Sequence, residues 1–425
     1  MRAVSMIVFG KTVIQSKNEQ IRKTFKVFRI FLRMTYNGGD RMRCLRCGNT
    51  QQKYFYQDGS VWYCRKCIAF GRMNVGELPR AKKYRQQRHA CDYVLKYPLT
   101  SKQQKASAEI VWHAKHQQSQ LVYAVCGAGK TELVMEVIKQ FLNAGKKVGF
   151  AISRRQVVLE IATRMKEAFP MIEVIAVCEG YSDICDGDLI VCTMHQLYRY
   201  YQTFDLLIMD EVDAFPYRGN EVLQAIAQHA CRGVMVYLTA TPDESMLKDV
   251  EDGKLALVEL FERPHGYPLI EPEIRTCANR MQLFYLIAFL YQQRKAGIQT
   301  LVFVPTIRMA NELHKKLCLL FRCKAFTSQS EDKEKIVDDF HKKKYECLIT
   351  TTILERGITI KGIYIIILQA DHVVFNEASL TQIIGRVGRS IEMPSGKGIF
   401  LCERVTRDIE RCKHAIQHMN KESFS

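Results

Sequence analysis

The sequence predicts an α/β protein with two parallel-sheet lobes, preceded by a four-cysteine zinc-ribbon domain. Apolar strand-like runs alternate with helical patterns from about residue 121 onward, which is typical of a parallel sheet covered by helices on both faces. A proline-rich stretch, residues 262–272, divides these runs into two groups and is interpreted as a hinge. Two Cys-x-x-Cys pairs lie ahead of the first group and predict the zinc ribbon.

Length and composition restrict the class of protein. A chain of 425 residues predicts two or three domains, and its 47% hydrophobic and 25% charged residues are ordinary for a globular protein. No apolar run is long enough to span a bilayer, and the N-terminus has no clean apolar segment of a secretory signal. Many of the 16 cysteines lie inside strand-like runs, which favours a reducing cytosol over disulfide bonds.

The positive charge is concentrated at one end of the chain. Residues 1–100 contain 21 Lys and Arg against 5 Asp and Glu, whereas the remaining residues are nearly balanced within a total net charge of +18. Such a block predicts a polyanion or an anionic membrane surface as partner, with a solvated face as the alternative. Within it, an apolar helical stripe either lies on lipid or nucleic acid or packs into the domain; its members are Ile21, Phe25, Phe28 and Leu32.

The zinc prediction rests on the spacing of four cysteines. Cys44 and Cys47 form one pair, and Cys64 and Cys67 form the other, sixteen residues further on. Each Cys-x-x-Cys turn points two sulfurs the same way, so two turns complete a closed tetrahedral S₄ site. We therefore expect one structural Zn²⁺ within a ribbon at residues 41–70. A redox pair is the alternative.

A glycine-rich loop, residues 124–131 (AVCGAGKT), connects a strand-like run to a helical pattern. Strand, glycine loop and helix are the context of a phosphate-binding loop. Gly127 and Gly129 let backbone N–H groups crowd around an anion, Lys130 reaches the β- and γ-phosphates, and Thr131 binds Mg²⁺. The alternative is a helix-capping turn, since the strict pattern has Gly where this chain has Ala124.

Gln103, upstream of this loop, is the predicted contact to adenine, because an amide can pair with the edge of the base. The signal is weak by itself, since surface glutamines are common.

Carboxylates and arginines complete the predicted ATP site. Asp210 and Glu211 follow a buried strand-like run, and such a pair suits Mg²⁺ binding by the first residue and orientation of the attacking water by the second. Arg386 and Arg389 lie in the second α/β group and are the candidate arginine fingers. A solvated turn and a basic helix surface are the respective alternatives.

These motifs, in this order, resemble those of the superfamily 2 helicases and translocases. The resemblance covers about residues 99–405 and rests on AVCGAGKT, DEVD (residues 210–213), TAT (residues 239–241) and QIIGRVGR (residues 382–389). It implies RecA-like lobes at residues 96–262 and 273–425 after a basic region at 1–95, with ATP in the cleft. The resemblance assigns to Thr239 and Thr241 the role of coupling the nucleotide state of the site to the binding of the nucleic-acid strand. The implied contacts to a nucleic-acid backbone are Arg154, Thr193, Thr306 and Thr351.

The zinc cysteines ahead of the phosphate loop narrow the resemblance to the ComFA family of late-competence DNA-uptake ATPases. That resemblance implies a DNA-stimulated ATPase that pulls single-stranded transforming DNA inward at the cytoplasmic face of the membrane. A membrane DNA channel and other competence proteins are the implied partners. Two readings compete with it: a repair or replication-restart helicase similar to PriA, and a nucleic-acid-binding scaffold with a vestigial ATPase.

Overall fold

The computed structural model describes residues 42–79, 82–355, 360 and 362–424. The apolar stripe predicted between residues 21 and 32 lies outside the described residues. So do residues 356–359, which continue the segment after Thr351. None of the helices in these described ranges is both long and apolar enough to cross a lipid bilayer.

The N-terminal module, residues 42–79, is built around a short hairpin. Strands β1 (Phe55–Asp58) and β2 (Val61–Cys64) pair antiparallel, and 3₁₀ turns at Gln52–Tyr54 and Ile68–Phe70 flank them. Its small core consists of the four predicted zinc cysteines together with Phe55 and Met73. A module of this size has too little apolar surface to fold on its core alone, which is the usual reason for a structural metal.

Lobe 1 is a seven-stranded parallel sheet in the order β5-β6-β4-β7-β8-β3-β9, with helices packed on it. Its strands at residues 148–152, 189–193 and 204–210 are buried on both faces, as the near-continuous apolar runs predicted. In chain order the elements are α1 (Ser101–Lys115), β3 (Gln120–Ala124), α2 (Lys130–Leu133), α3 (Met135–Asn143), β4 (Val148–Ile152), α4 (Arg155–Ala168), β5 (Val174–Val177), β6 (Leu189–Thr193), β7 (Phe204–Asp210), α5 (Glu221–Ala230), β8 (Cys231–Thr239), α6 (Glu244–Glu251) and β9 (Ala256–Leu260).

Lobe 2 is a six-stranded parallel sheet in the order β10-β15-β14-β11-β13-β12. Its first strand pairs with its last, so the chain enters the lobe at an edge of the sheet. In chain order the elements are β10 (Glu273–Thr276), α7 (Asn279–Ala296), β11 (Gln299–Phe303), α8 (Ile307–Leu317), β12 (Cys323–Phe326), α9 (Lys333–His341), β13 (Cys347–Thr350), β14 (Ile363–Ile367), α10 (Glu377–Ile384), β15 (Gly398–Cys402) and α11 (Arg407–Phe424).

Residues 82–95, here called the strap, join the module to lobe 1 without regular secondary structure. The strap packs closely: Cys91 is buried in the lobe-1 core, and the Tyr84 ring lies 5.2 Å from that of Tyr200. Lys147, almost fully buried, donates a hydrogen bond of 2.8 Å to the carbonyl of Arg85. The strap is therefore an ordered part of the lobe-1 surface, although its basic composition resembles that of a solvated linker.

The module also contacts lobe 1 directly. Lys66 pairs with Glu221 at 2.5 Å, and the Phe70 ring lies 5.6 Å from that of Tyr198. On the same side, His229 Nδ1 lies 3.0 Å from the carbonyl oxygen of Arg46. Since these contacts reach two different elements of lobe 1, the module has a defined orientation on that lobe.

Candidate active site

The phosphate loop follows β3 as predicted, and side chains hold three of its carbonyls. Lys130 Nζ donates to the Ala124 carbonyl at 3.2 Å, and Gln103 Nε2 donates to the Ala128 carbonyl at 2.8 Å. Between them, Arg263 Nε donates to the Cys126 carbonyl at 3.0 Å. Because a trans peptide points its C=O and the following N–H in opposite directions, these bonds turn the next N–H groups away from the donors. The Val125 N–H is bonded to the Leu260 carbonyl, so it is the Gly127 and Gly129 N–H groups that are suited to an anion.

Two glycines give the loop its shape. Gly127 and Gly129 have φ of 87° and 82°, in the region that favours glycine. A Cβ on Gly129 would also lie 2.7 Å from Gln103 Nε2. The Gln103 amide is engaged at both ends, since its Oε1 accepts a 2.9 Å bond from the Thr100 N–H. The structure thus places Gln103 against the loop, and its contact to adenine stays a prediction.

The predicted carboxylates lie at the carboxyl end of β7. Asp210 is buried, and its Oδ1 accepts a 2.8 Å bond from the backbone N–H of Glu211. Burial raises the pKa of Asp210 to about 7, Glu211 adds to the rise, and Lys130 opposes it. A carboxyl whose charge is disfavoured by burial gains from a cation, so Asp210 fits the predicted Mg²⁺ role. Thr131, the other predicted Mg²⁺ contact, is also buried.

The two predicted arginine fingers face this site from lobe 2. Burial and, to a smaller extent, the charge of Arg389 lower the pKa of Arg386 to about 9, against the opposing attraction of Cys126 and Glu211. Arg389 is partly exposed and donates Nε to the Gly385 carbonyl at 3.0 Å. Its Cγ lies 3.8 Å from where a Cβ on Gly127 would stand. The structure therefore brings both arginines to the phosphate loop and the acidic pair across the cleft.

The close approach of the lobes explains Gly385 of the segment 385–389, here called the arginine turn, and packing inside lobe 2 explains Gly388. A Cβ on Gly385 would lie 2.7 Å from Cys126 Cβ in the opposite lobe. Gly388 has φ of 69°, and a Cβ there would lie 2.4 Å from the Pro394 carbonyl oxygen. A larger residue at either position would displace the arginine turn from the phosphate loop.

Gln382 links the lobes beside the arginine turn. It is buried, and its Oε1 accepts a 3.1 Å bond from Cys126 Sγ of the phosphate loop. Its Nε2 lies 3.4 Å from Asp213 Oδ2 of the acidic tetrad. One lobe-2 side chain therefore contacts two motifs of lobe 1.

The candidate nucleic-acid contacts lie at or just beyond the carboxyl ends of strands. Thr193 ends β6 and is buried, Thr351 follows β13, and Thr306 caps α8 by accepting a 3.1 Å bond from the Met309 N–H. Arg154 follows β4 and is engaged between the lobes, where its Nη1 donates to the Ile353 carbonyl at 2.9 Å. Their contact with a strand stays a prediction.

Arg263 is a site residue that the sequence did not indicate. It belongs to the proline-rich stretch that predicted a hinge, and it is 1% exposed. All four of its hydrogen bonds go to main-chain carbonyls. Carbonyl acceptors have no sequence signature, so the only available signal was a basic residue beside a proline.

Comparison with known proteins identifies the family. Residues 10–78 match the Competence protein ComFA N-terminal domain, residues 96–244 the Type III restriction enzyme, res subunit, and residues 281–390 the Helicase conserved C-terminal domain. Competence protein ComFA of Streptococcus pneumoniae is 34% identical over 90% of this chain and 91% of its own length. The chain belongs to the ComFA family. Competence protein ComFA of Bacillus subtilis is 33% identical over 90% of this chain and 86% of its own.

The comparison with solved structures concerns the fold of the two lobes. Dbp5 of Saccharomyces cerevisiae bound to RNA and ADP BeF3 superposes with a TM-score of 0.56 at 16% identity, over 76% of this chain and 91% of that one. At that identity the likeness concerns the fold alone. With the helicase domain matches, it confirms two superfamily 2 lobes, and this ComFA-family chain is an ATPase of that superfamily.

The zinc prediction for this ComFA-family chain can be tested on the sulfur geometry. The four predicted Sγ atoms all lie within 4.8 Å of one another. Cys44 and Cys67 are 3.7 Å apart, as are Cys47 and Cys64. Zn–S bonds of about 2.3 Å in a tetrahedron place sulfurs about 3.8 Å apart. The cysteines fit a tetrahedral Zn²⁺ site, which stays a prediction.

Arg46 adds a further layer to this site. Its Nη2 donates to Cys67 Sγ at 3.0 Å and to the Cys67 carbonyl at 2.7 Å. Its Nη1 donates to the Phe70 carbonyl at 2.8 Å. Four thiolates with one Zn²⁺ would carry a net charge of −2, and this buried guanidinium would offset part of that charge and orient Cys67 as a ligand.

Proposed function

We propose that this chain uses ATP to pull single-stranded transforming DNA inward during natural competence. The observation that carries the proposal is the pairing of lobes: Lys130 and Glu211 on lobe 1 face Arg386 and Arg389 on lobe 2. Such a site changes its interlobe contacts with nucleotide state, so ATP closes the cleft and hydrolysis lets it open. The nine-tenths match to competence proteins supports DNA uptake as the process served.

Each predicted residue has a role in this cycle. Lys130 and the N–H groups around Gly127 and Gly129 bind the phosphates, and Glu211 orients the attacking water. Arg386 and Arg389 stabilise the negative charge that spreads over the γ-phosphate oxygens. Asp210 and Thr131 hold Mg²⁺, which supplies charge neutralisation when bound.

The DNA runs over the carboxyl edges of both sheets in this proposal. Thr193, Thr306 and Thr351 lie at that edge in two different lobes, so cleft closure changes their spacing along a strand. Arg154 joins them when the cleft opens, because its bond to Ile353 crosses between the lobes.

The N-terminal module provides the long-range attraction for DNA. Cations stand over aromatic rings on its exposed hairpin: Arg72 lies 4.6 Å from the Tyr63 ring and Arg65 lies 5.6 Å from the Tyr56 ring. Tyr56 is exposed and Tyr63 is half-buried, and aromatics beside cations suit stacking with unpaired bases and contact with phosphates. We place the protein at the cytoplasmic face of the membrane, beside a DNA channel and other competence proteins.

The deciding experiment is ATP turnover with single-stranded DNA, duplex DNA, single-stranded RNA and no nucleic acid. Preferential stimulation by single-stranded DNA, together with no strand displacement on a tailed duplex, supports the proposal. Efficient displacement would favour a repair or restart helicase. Absence of turnover under every condition would favour the scaffold with a vestigial ATPase.

The contribution of the module is tested in the full chain by replacing Lys53, Arg65 and Arg72 with Gln. Each lost phosphate contact should reduce the logarithmic salt slope of single-strand binding by about 0.7. The matched control replaces three exposed lysines at the amino edges of the sheets. The same slope in both triple variants would show that the module does not bind DNA through these side chains. The control positions are Lys254, Lys342 and Lys344.

A further inference from the structure

Arg263 connects the two halves of the ATP site. Its Nη1 donates to the carbonyls of Val387 at 2.8 Å and Gly388 at 3.0 Å, and its Nη2 donates to that of Gly385 at 2.8 Å. The remaining bond, from Nε, reaches the carbonyl of Cys126 in the phosphate loop. One planar guanidinium therefore joins the loop of lobe 1 to the arginine turn of lobe 2.

The anchor of this side chain belongs to lobe 1. Arg263 follows β9 closely, and β9 pairs in parallel with β3, the strand that leads into the phosphate loop. The last pair of that register joins Ala124 to Leu260, and the Val125 N–H continues it with a 3.1 Å bond to the Leu260 carbonyl. Arg263 is thus fixed by the same sheet as the loop while it reaches the opposite lobe.

The acceptors of Arg263 are the groups whose orientation decides the chemistry. A donor on the Cys126 carbonyl fixes the peptide plane that contains the Gly127 N–H. On the other side, the Gly385 carbonyl accepts from both Arg263 Nη2 and Arg389 Nε, at 2.8 and 3.0 Å. Holding that carbonyl in place therefore also holds the guanidinium of Arg389.

His265 adds a second contact to the same turn. Its Nε2 lies 2.9 Å from the Gly388 carbonyl, and its Nδ1 accepts a 3.1 Å bond from the Tyr267 N–H. This pattern assigns the tautomer with the proton on Nε2. Two residues of the connection between the lobes, Arg263 and His265, therefore bind the arginine turn.

We propose that Arg263 is a positioning residue for ATP hydrolysis, which holds the arginine turn in register with the phosphate loop. The inference rests on the proposed finger roles of Arg386 and Arg389. Arg263 acts through Arg389, because both side chains donate to the Gly385 carbonyl. The other donors of Arg263 are also bonded to main-chain carbonyls. A segment expected to be a hinge is by this account part of the ATPase machinery.

The test begins with steady-state ATP turnover of Arg263→Met. Methionine keeps the stem of the side chain and removes every donor. We expect kcat to fall by roughly 10², the scale of an ångström-sized misplacement of a catalytic group. Arg263→Lys keeps a charge but cannot span both sides, so it should also lose turnover and guards against a Met variant that fails to fold. The matched control is Arg275→Met, since Arg275 lies on β10 just after this connection and contacts Glu273 and the Tyr285 ring.

A double-mutant cycle separates positioning from a general structural defect. If Arg263 acts through Arg389, then Arg263→Met in an Arg389→Ala background should cost little further turnover, within about threefold. A purely structural role predicts that the two losses multiply. Multiplied losses in folded proteins would overturn the proposal.

Backbone hydrogen exchange provides a readout that does not need activity. The N–H groups of Gly385, Arg386 and Val387 are bonded to carbonyls at the end of α10, those of Thr381, Ile383 and Ile384. Loosening the arginine turn should open these bonds more often and speed their exchange severalfold in Arg263→Met and not in Arg275→Met. Unchanged exchange at these three N–H groups would refute the proposed positioning role of Arg263 even if wild-type turnover is normal. Conversely, a wild type without turnover would remove the proposed function, while faster exchange would still establish the contact.

Discussion

Thr241 Oγ1 donates a 2.6 Å hydrogen bond to Asp213 Oδ2. This contact joins the Thr-Ala-Thr turn after β8 to the acidic tetrad after β7. Gln382 of lobe 2 approaches the same carboxylate oxygen at 3.4 Å. The end of one strand, the acidic tetrad and the opposite lobe therefore meet at a single oxygen atom, beside the residues proposed to hydrolyse ATP.

We expect Thr241→Val to reduce the stimulation of ATP turnover by DNA severalfold. Valine keeps the shape of the side chain and removes the hydroxyl, so Asp213 loses a donor. The measurement is the ratio of turnover with and without single-stranded DNA. Thr276→Val, at the exposed end of β10, is the control. An unchanged ratio would show that this hydrogen bond plays no part in the stimulation of ATP turnover by DNA.

Glu211→Gln should bind ATP and DNA but lower turnover by about 10² or more, because it neutralises the carboxylate proposed to orient water. Lys130→Ala is the comparison, since it removes the positive charge from the phosphates and should weaken binding as well as abolish turnover. Turnover and nucleotide affinity are measured for both. Near-normal turnover of the Gln variant would exclude Glu211 from the catalytic role.

Arg389→Ala should keep ATP affinity within severalfold and lower turnover by about 10³ or more, the scale of an arginine finger. Arg386→Ala should behave similarly. Arg322→Ala is the control, because Arg322 is exposed and precedes β12 at the opposite edge of the lobe-2 sheet. A variant of Arg389 impaired only in DNA affinity would contradict the finger assignment.

We expect one tightly bound zinc per chain. Cys64→Ser should release it and unfold residues 42–79, because structural zinc sites supply folding free energy directly. Metal analysis gives the stoichiometry, and limited proteolysis reports which residues unfold. Cys318→Ser, at an exposed cysteine of lobe 2, should leave the metal content unchanged. A wild type purified without chelators and holding far less than one equivalent would refute the prediction.

The raised pKa of Asp210 predicts a dependence of stability on pH. Since burial and Glu211 raise this pKa from 3.8 to about 7, the folded nucleotide-free protein binds a proton that the unfolded chain has released in that interval. The stabilisation is fully present below about pH 4 and is lost as pH rises through about 7, by at most about 1.4 kcal/mol per pH unit. Asp210→Asn should flatten this decline in the free energy of unfolding.

Denaturant unfolding between pH 5 and 8 measures that difference. Asp249→Asn is the control, because Asp249 is a half-exposed partner of Lys254. Mg²⁺ competes with the proton for the Asp210 carboxylate, so the affinity for Mg–ATP should increase up to about pH 7 in the wild type. Parallel stability curves for the wild type and Asp210→Asn would show that this carboxyl is ionised throughout.

The sequence was most informative where local patterns carry the structure. The apolar run at residues 148–152 coincides with strand β4, because a strand buried on both faces is apolar at every position. Strand β8 begins at Cys231, whereas the apolar run begins only at Val234, since Arg232 and Gly233 are exposed and interrupt the pattern. The phosphate loop was predictable because its glycines and lysine have fixed spacing.

The contacts between lobes were not predictable in this way. Arg263 binds the carbonyls of residues far apart in the sequence, among them Cys126 and Gly388. No local sequence pattern indicates which peptide groups the fold will bring to this side chain. Arg154 was expected at a nucleic-acid backbone, and the structure shows its guanidinium on the Ile353 carbonyl. The basic composition of the strap is typical of a solvated linker, whereas Tyr84 and Cys91 determine its packing.

The placement of β9 and β10 has a mechanical consequence for a motor. The connection between the lobes leaves one sheet from the edge strand β9 and enters the other through the edge strand β10, and both strands pair in parallel with their neighbours. A force along the connection would act parallel to β9 and β10. It would shear all the hydrogen bonds between each strand and its neighbour at the same time, instead of opening them one by one. Because β9 pairs with β3, the strand that leads into the phosphate loop, a force transmitted from a pulled strand of DNA would act on the sheet directly beside the nucleotide.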